Sequence, residues 1–510
     1  MQRSEASRAL PLKTPMAWAL MAVSAVFVLI GILYRNFTID DAFIFLVYAR
    51  HLATTGQMAF NLGEPVNAIS SPLWFCISFL GYKLSSPLGS LDMPVLVMRL
   101  ASGVFTWTAA CLFVVLAFRL LSSAALRALA IALFLSDAWL WRWAFSGMEA
   151  GLAMLLVTVS LFLYTSRNSL FRFWSALLLM SIGALTRPEL AVLSLLVMAD
   201  YLRNVGAGRD RVQIPTAIIS VLAAAVPVVL WLTFAHKTMH SVIPQTAAVK
   251  SGIVGRGESL RYAAQVLFAS QPVAITLCAM GCIMFAWTRI AGRSIAAETE
   301  HEHWRLLLPF GLWVVALPAF YVFRGYVPLA RYLLMIMPCL VIVSVMSFEW
   351  MATHVAGVRR GIGALALGAG LAAWAVWGFV TVTRALPVSG GQMEKAYRVM
   401  GRWIREHTPQ DARIAAGEIG TLGYYGDRYL IDCGGLVLPA NQLPLWQRGP
   451  TTLLKAVKAD YTLTPYDYRL AGVDYEPLLS WKVQGHRASM KRDWVNLVLY
   501  RSRWSQEGTR

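Results

Sequence analysis

Long apolar runs separated by short polar segments dominate the chain up to about residue 385. Many approach the roughly 20 residues that an α-helix needs to cross a bilayer. The runs cover residues 16-34, 72-88, 93-118, 128-145, 150-166, 173-186, 189-202, 212-235, 271-288, 306-323, 331-351 and 361-383. This pattern predicts a polytopic all-α membrane protein.

The positions of lysine and arginine indicate which of these runs cross the membrane. The basic clusters fall on one side only if the run 72-88 lies in the interface instead of crossing. We therefore predict about eleven spans, a cytoplasmic N-terminus and a first exoplasmic loop at 35-92 that contains interfacial helices. An odd number of spans places the C-terminal part on the exoplasmic side.

Composition supports a membrane environment and argues against nucleic acid. Of 510 residues, 57% are hydrophobic and only 14% are charged, well below the roughly 25% charged share of soluble domains. The net charge of +18 is scattered in short clusters between apolar runs, whereas nucleic-acid binders gather it on one face. We expect the lipid bilayer as a partner, a multi-pass membrane protein, and no nucleic acid.

The chain changes character after residue 385. Met393 to His407 has the spacing of an amphipathic helix, and strand-like runs broken by glycine, aspartate and proline begin at Arg413. We predict two domains: a transmembrane domain at 1-385, and a soluble exoplasmic α/β domain at 386-510 that would be periplasmic in a bacterium.

Two adjacent carboxylates, Asp40 and Asp41, follow the first apolar run and open an amphipathic segment. One interpretation is structural, because an aspartate at a helix N-terminus caps free backbone N–H groups. The other is catalytic: a carboxylate at the membrane edge accepts the proton of an acceptor hydroxyl, or coordinates a divalent cation, while a phosphate leaves. The residues alone leave both interpretations open.

Further ionisable residues gather at the predicted exoplasmic ends of the helices. Arg187 and Glu189 either neutralise each other near lipid, or Arg187 contacts phosphate or sugar hydroxyls. Lys250 lies in a polar loop and is a candidate phosphate ligand. Arg331 either meets a lipid phosphate or anchors a helix end at the headgroups.

Several short motifs, taken in order, resemble the GT-C family of polyprenyl-phosphate-sugar transferases, and within it the terminal and pilin arabinosyltransferases. The resemblance extends from about residue 36 to 440. It rests on Asp40-Asp41-Ala-Phe-Ile, Phe60-Asn-Leu-Gly-Glu-Pro-Val, Ser70-Ser-Pro-Leu-Trp, Ser146-Gly-Met-Glu, Arg187-Pro-Glu, Thr246 with Lys250, Arg331-Tyr-Leu-Leu, Gly417-Glu-Ile-Gly-Thr-Leu-Gly-Tyr-Tyr-Gly-Asp-Arg and Ile431-Asp.

The resemblance implies a GT-C fold, a polyprenyl-phosphate-pentose donor of the arabinofuranose type, and a glycan or protein acceptor. It also implies a catalytic carboxylate at Asp40 or Asp41, which would be the metal ligand if a divalent cation takes part. The residues that it assigns to donor phosphate and sugar binding are Glu149, Arg187, Glu189, Gln245, Lys250, Arg331 and Tyr332.

Three departures from the family pattern leave the sugar open. Ala150 replaces an expected threonine, Leu190 a glycine and Gln245 an asparagine. Mannose, glucose and aminoarabinose donors are therefore alternatives. A transporter is a rival from another class, but transporters show repeated halves and charges near the bilayer midplane, and neither is visible here. A non-catalytic membrane scaffold would leave the polar loops unexplained.

Overall fold

A computed structural model describes most of the chain. It covers residues 14–166, 168–210, 213–252, 254–290, 298–354, 391–464, 469–486 and 492–504, with five positions between 370 and 380. The predicted run 361-383 therefore lies largely outside the described residues.

The regular secondary structure of the described residues up to 354 is helical. Short non-α turns join some of them: 3-10 turns at Ser86–Leu88 and Leu334–Ile336, and a π turn at Leu179–Gly183. The helices are α1 (Thr14–Leu33), α2 (Asp40–Thr55), α3 (Pro72–Ser85), α4 (Asp92–Leu120), α5 (Ala124–Leu135), α6 (Ala138–Ala144), α7 (Ala150–Tyr164), α8 (Ser169–Leu178), α9 (Ala184–Thr186), α10 (Leu190–Gly206), α11 (Ile214–Met239), α12 (Gln245–Val249), α13 (Arg256–Ser270), α14 (Pro272–Ile290), α15 (Glu298–Phe323), α16 (Ala330–Leu333) and α17 (Met337–His354).

By length and composition, this is a multi-pass membrane protein. Within the described residues, six helices are long and apolar enough to cross a bilayer, or up to eight if each of two bent pairs forms one span. The run 72-88, which we predicted not to cross, forms α3 with only 14 residues. At 1.5 Å per residue, α3 is about 21 Å long, short of the roughly 30 Å hydrocarbon core. The total of eleven spans stays a prediction.

The two bent pairs are joined at their breaks by one buried aspartate. The helices bend by 55° between α5 and α6 and by 108° between α13 and α14. Asp137 caps α6 by accepting a hydrogen bond from the Leu140 N–H at 2.8 Å. Its other oxygen accepts hydrogen bonds from the Ser270 hydroxyl at 2.8 Å and the Gln271 amide at 3.2 Å. The kinks are thus fixed relative to each other.

The C-terminal part is an α/β domain, as predicted. A helix, α18, covers residues 391–407 and precedes a five-stranded sheet of order β2-β1-β3-β5-β4. Strand β1 runs parallel to β2 and β3, and β5 runs antiparallel to β3 and β4. The elements are β1 (Arg413–Ala416), α19 (Gly420–Gly426), β2 (Tyr429–Asp432), α20 (Leu443–Gln447), α21 (Pro450–Val457), β3 (Tyr461–Leu463), β4 (Val473–His486) and β5 (Arg492–Trp504).

This domain docks on the first polar loop through α19, which packs against α2. The Arg50 guanidinium donates to the Tyr424 carbonyl at 2.7 Å and pairs with Asp427 at 2.8 Å. The Asn61 amide pairs with the backbone of Leu430 in both directions, at 2.9 and 3.0 Å. Most of these contacts are buried, so the domain is held firmly over the end of the helical bundle.

Gly420 lies at the closest approach between α19 and α2. A Cβ at this position would stand 2.0 Å from the Asp40 carbonyl oxygen, which is backbone and cannot rotate away. We expect Gly420→Ala to separate the two helices and to destabilise the protein by about 1–3 kcal/mol, measured as a lower melting temperature in detergent. Gly257→Ala is the control, because nothing lies within 4 Å of the place that its Cβ would take. Equal melting temperatures for the two variants would contradict this packing.

Candidate active site

A cavity lies where α2, α12 and α16 meet the turns that precede α7 and α10. The backbone N–H of Ile39 donates to the Ser146 carbonyl at 3.2 Å, which brings the start of α2 against the loop before α7. Leu436 of the C-terminal domain closes one side. Seven of the nine predicted site residues line the cavity: Asp41, Glu149, Arg187, Glu189, Lys250, Arg331 and Tyr332.

Asp41 faces this cavity and holds two cations. Its Oδ2 accepts a close hydrogen bond from Nη2 of Arg331 and lies 3.8 Å from Nζ of Lys250. Burial disfavours the charged carboxylate, but the two cations outweigh it and hold the pKa of Asp41 below its usual range. Asp41 is therefore ionised, and its side chain is still 26% exposed, so that a ligand can reach it.

Asp40 points away from the cavity, because successive residues on a helix are about 100° apart. Its two carboxylate oxygens accept hydrogen bonds from the Gly420 and Thr421 N–H groups, at 2.8 and 2.7 Å. Burial raises the pKa of Asp40. The aspartate thus caps a helix, as the structural interpretation proposed, but the helix is α19 of the other domain. The structure separates the two carboxylates into a cap and a cavity residue.

The cations of the cavity retain free donors. Arg331 is 5% exposed, and its Nη2 also donates to the Tyr332 hydroxyl at 3.2 Å. Its Nε and Nη1 are buried and have no hydrogen-bond partner among the described residues. The Lys250 segment is fixed by the Gly252 N–H, which donates to the Arg324 carbonyl at 2.9 Å. These unpaired N–H groups make Arg331 a donor for an anion bound in the cavity.

Arg187 organises a second group of charges in the lining of the cavity. Its guanidinium donates to Oε1 of Glu149 at 2.8 Å and to Oε1 of Glu189 at 2.9 Å. The Tyr321 hydroxyl donates to the same Glu189 oxygen at 2.6 Å. The guanidinium also lies 4.5 Å above the ring of Tyr332. The pairing that we considered as one alternative is therefore present, with two carboxylates around one cation.

The second oxygens of these two carboxylates are buried without a partner. Oε2 of Glu149 and Oε2 of Glu189 accept no hydrogen bond within the described part of the chain. A buried carboxylate oxygen without a donor costs about 1–3 kcal/mol or more, which a ligand hydroxyl would relieve. Glu149 and Glu189 thus offer acceptors for ligand hydroxyl groups, while Lys250 and Arg331 offer donors for an anion in the same cavity.

Gln245, in contrast, does not line the cavity. Its backbone N–H donates to the Asn67 carbonyl at 2.7 Å, and its side-chain amide donates to the Gly435 carbonyl at 2.8 Å. The residue connects α12 to the C-terminal domain. Its neighbour Thr246 lines the cavity instead, and the Thr246 Oγ1 is buried without a described partner. The sequence resemblance contained Thr246 but gave it no role.

Two carboxylic acids of the C-terminal domain lie close to the cavity and were not predicted as site residues. Burial and the negative charges of Asp40, Asp41 and Asp432 raise the pKa of Glu418 well above its usual range. Burial raises the pKa of Asp432 to about 6. Asp432 accepts hydrogen bonds from the Gly434 and Val437 N–H groups at 2.7 and 2.9 Å, which fixes the loop that carries Leu436. Both acids belong to motifs that carried the family resemblance, Gly417-Glu-Ile-Gly and Ile431-Asp, but the sequence did not indicate that they lie beside the cavity.

The carboxylates do not form a cation site. Both oxygens of Asp40 accept backbone hydrogen bonds, and Oδ2 of Asp41 is occupied by a guanidinium and approached by an ammonium group. The described residues contain no group of three or more histidine, cysteine or acidic side chains that could hold a metal ion. Hard divalent cations need several oxygen ligands at once, so the residues present do not fit one.

Solved structures identify the architecture. ArnT from Cupriavidus metallidurans, in the apo state, aligns with a TM-score of 0.58 and 14% sequence identity over 96% of this chain and 98% of that chain. The chain has the GT-C fold. The structure of the same ArnT bound to undecaprenyl phosphate gives a TM-score of 0.58 and 14% identity, with 95% and 98% of the two chains covered.

A larger protein with the GT-C fold also aligns. The arabinofuranosyltransferase AftD from Mycobacteria has a TM-score of 0.52 and 14% identity, over 99% of this chain but only 40% of its own. Residues 388–501 match the family described as Domain of unknown function (DUF8728). No curated protein matches the sequence. At 14% identity the likeness concerns the fold, so function has to be argued from the cavity.

Proposed function

We propose that this chain is a glycosyltransferase that moves a sugar from a polyprenyl-phosphate donor to a hydroxyl group. The acceptor is a cell-envelope glycan or a surface protein on the exoplasmic side of a bacterial inner membrane. The observation that carries this proposal is the placement of Asp41 beside Lys250 and Arg331 in one cavity. The candidate proton acceptor, Asp41, thus lies in direct contact with the two cations that would bind the donor phosphate. The GT-C fold of an ArnT bound to undecaprenyl phosphate supports a lipid-linked donor.

D-arabinofuranose is the donor sugar that we propose, from the motif resemblance and the likeness to AftD. Aminoarabinose is the second candidate, because Glu149 and Glu189 place two carboxylates against the single guanidinium of Arg187. The remaining negative charge would attract the ammonium group of an amino sugar. Both sugars present hydroxyl groups that could donate to the free carboxylate oxygens.

In this mechanism the donor phosphate lies against Lys250 and Arg331. The acceptor oxygen forms a bond to the sugar C1 as the C1–O bond to phosphate breaks, and the phosphate leaves with the bonding electron pair. Asp41 takes the proton from the acceptor hydroxyl. The cations stabilise the charge that develops on the leaving phosphate. Because the lipid phosphate is the leaving group, no nucleotide is required.

The same two cations also control the basicity of Asp41. Without donor, they hold its pKa below the usual range, which makes the carboxylate a weak base. A bound phosphate competes for Lys250 and Arg331 and adds negative charge nearby, and both effects raise the proton affinity of Asp41. The base therefore becomes stronger when the donor is in place.

A reconstituted assay tests the proposal. Purified protein in liposomes would be given polyprenyl-phosphate-arabinofuranose, aminoarabinose or mannose together with an envelope glycan, and products would be analysed by mass spectrometry. We expect addition of one pentose and release of polyprenyl phosphate. Transfer of aminoarabinose alone would favour the second candidate. No transfer from any lipid-linked sugar, together with changed solute uptake in a deletion strain, would indicate a transporter.

The pH dependence of kcat/KM, which reports the free enzyme, tests the role of Lys250. Replacing Lys250 by Gln removes one of the cations that lower the pKa of Asp41. The pKa then rises towards its ordinary value, so the active ionised form is lost at a higher pH. We expect the acid limb of the profile to move upward relative to wild type. An unmoved acid limb would show that Asp41 is not the titrating base.

A further inference from the structure

A second concave site lies on the membrane surface of the helical bundle, between α1 and α4. We call it the α1–α4 groove. Its apolar walls come from Phe27, Val28, Ile32, Leu96 and Leu100. Gly31 and Phe145 also line the groove and lie in close contact, since a Cβ on Gly31 would lie 3.0 Å from Cζ of Phe145. None of the residues that line this groove lines the central cavity.

Two arginines lie at one end of the α1–α4 groove. Arg35 follows the end of α1 at Leu33, and its side chain is exposed, without an ion pair among the described residues. Among the described residues, Arg99 donates to neutral carbonyls, those of Tyr34 at 2.8 Å and Phe145 at 3.3 Å. The Glu394 carboxylate acts on Arg99 from a longer distance and is itself paired with Arg398. Neither arginine of the groove therefore has a carboxylate in direct contact within the described part of the chain.

The length of α4 places these charges near the headgroups. With 29 residues, α4 is about 44 Å long and exceeds the roughly 30 Å hydrocarbon core. The excess length allows the first turns to extend beyond the core, and Arg99, in the third turn, lies about 10 Å from the start of the helix. An apolar groove that faces acyl chains thus ends in two cations where lipid phosphates lie.

We propose that the α1–α4 groove binds an anionic glycerophospholipid. One acyl chain would lie along Val28, Ile32 and Leu100, and the phosphate would lie against Arg35 and Arg99. Guanidinium groups bind phosphate oxygens with paired N–H donors, and clusters of basic residues beside membrane helices favour anionic headgroups. A zwitterionic lipid fits less well, because its ammonium group would approach the same two cations.

The lipid site is connected to the central cavity through one short segment. Arg99 holds the carbonyl of Phe145, and Glu149 follows four residues later on the cavity wall. A lipid phosphate that engages Arg99 would therefore contact a residue that holds the segment leading to Glu149. This inference concerns lipid binding, and it stands whether or not the chain transfers a sugar.

Native mass spectrometry of the full chain in detergent tests the lipid site. The protein would be mixed with equimolar phosphatidylglycerol and phosphatidylcholine of identical acyl chains. We expect retention of phosphatidylglycerol in the wild type. Arg35→Gln should reduce the preference for phosphatidylglycerol over phosphatidylcholine by about fivefold, because this is the affinity that one cation contributes near an anionic headgroup. Val28→Trp should fill the groove and reduce retention of both lipids.

Matched controls make the result decisive. Arg261→Gln removes an exposed arginine of α13, far along the chain from the groove, and should leave the preference unchanged. Arg35 and Val28 are exposed, so the variants should melt like the wild type. An unchanged preference in Arg35→Gln, or undiminished retention in Val28→Trp, would overturn the proposal. Displacement of phosphatidylglycerol by a lower concentration of undecaprenyl phosphate would assign the groove to polyprenyl lipid and would also overturn it.

Discussion

Replacing Asp41 by Asn is expected to lower kcat by about 10²- to 10⁴-fold, the usual effect of removing a general base. The amide cannot accept the proton of the acceptor hydroxyl. It also frees Lys250 and Arg331 from their carboxylate partner, so both can turn fully to the donor phosphate. The KM for the lipid-linked donor should therefore stay the same or fall. Initial rates in liposomes, measured against donor concentration, separate the two parameters.

Asp40→Asn is the matched control for this prediction. Its remaining side-chain oxygen can accept from only one of the Gly420 and Thr421 N–H groups comfortably, so part of the cap on α19 is lost. We expect a lower melting temperature, by an amount that corresponds to about 1 kcal/mol, and a kcat within about tenfold of wild type. A large loss of kcat in Asp40→Asn with full activity in Asp41→Asn would assign the base to Asp40 and reverse our interpretation.

The fold was largely predictable because a bilayer imposes simple rules on a sequence. The distribution of lysine and arginine set the run that forms α3 apart from the spans, and the structure gives this helix only 14 residues against 29 in α4. The bends between α5 and α6 and between α13 and α14 were less accessible. They depend on Asp137, which contacts residues more than a hundred positions away, and hydropathy contains no information about such contacts.

The cavity was predictable in its residue types more than in its geometry. Arginine, lysine and glutamate at helix ends stand out in an apolar chain, and these residues do meet in one cavity. What each side chain does depends on its direction and on the neighbouring domain. Asp40 and Asp41 are adjacent in sequence but face α19 and the cavity, respectively. Gln245 and Thr246 divide in the same way, since only Thr246 lines the cavity.

Replacing Arg187 by Met is expected to cause the largest loss of stability. Arg187 is the cation that pairs with both Glu149 and Glu189, whose side chains are 2% and 12% exposed. Without it, two carboxylates remain close together and poorly hydrated. Breaking a buried pair in this way costs about 3–5 kcal/mol. Thermal unfolding in detergent should show a melting temperature well below that of the wild type.

A triple variant distinguishes the structural part of this group from its chemical part. Arg187→Met combined with Glu149→Gln and Glu189→Gln removes all three charges, so no buried charge is left without its partner. We expect the melting temperature to recover most of the way, since neutral replacements of buried ion pairs are often tolerated. Transfer should stay impaired, because Glu149 and Glu189 line the cavity and the neutral amides that replace them are weaker acceptors for ligand hydroxyl groups. Recovery of stability together with full activity would show that the group only neutralises charge near lipid and does not bind the sugar.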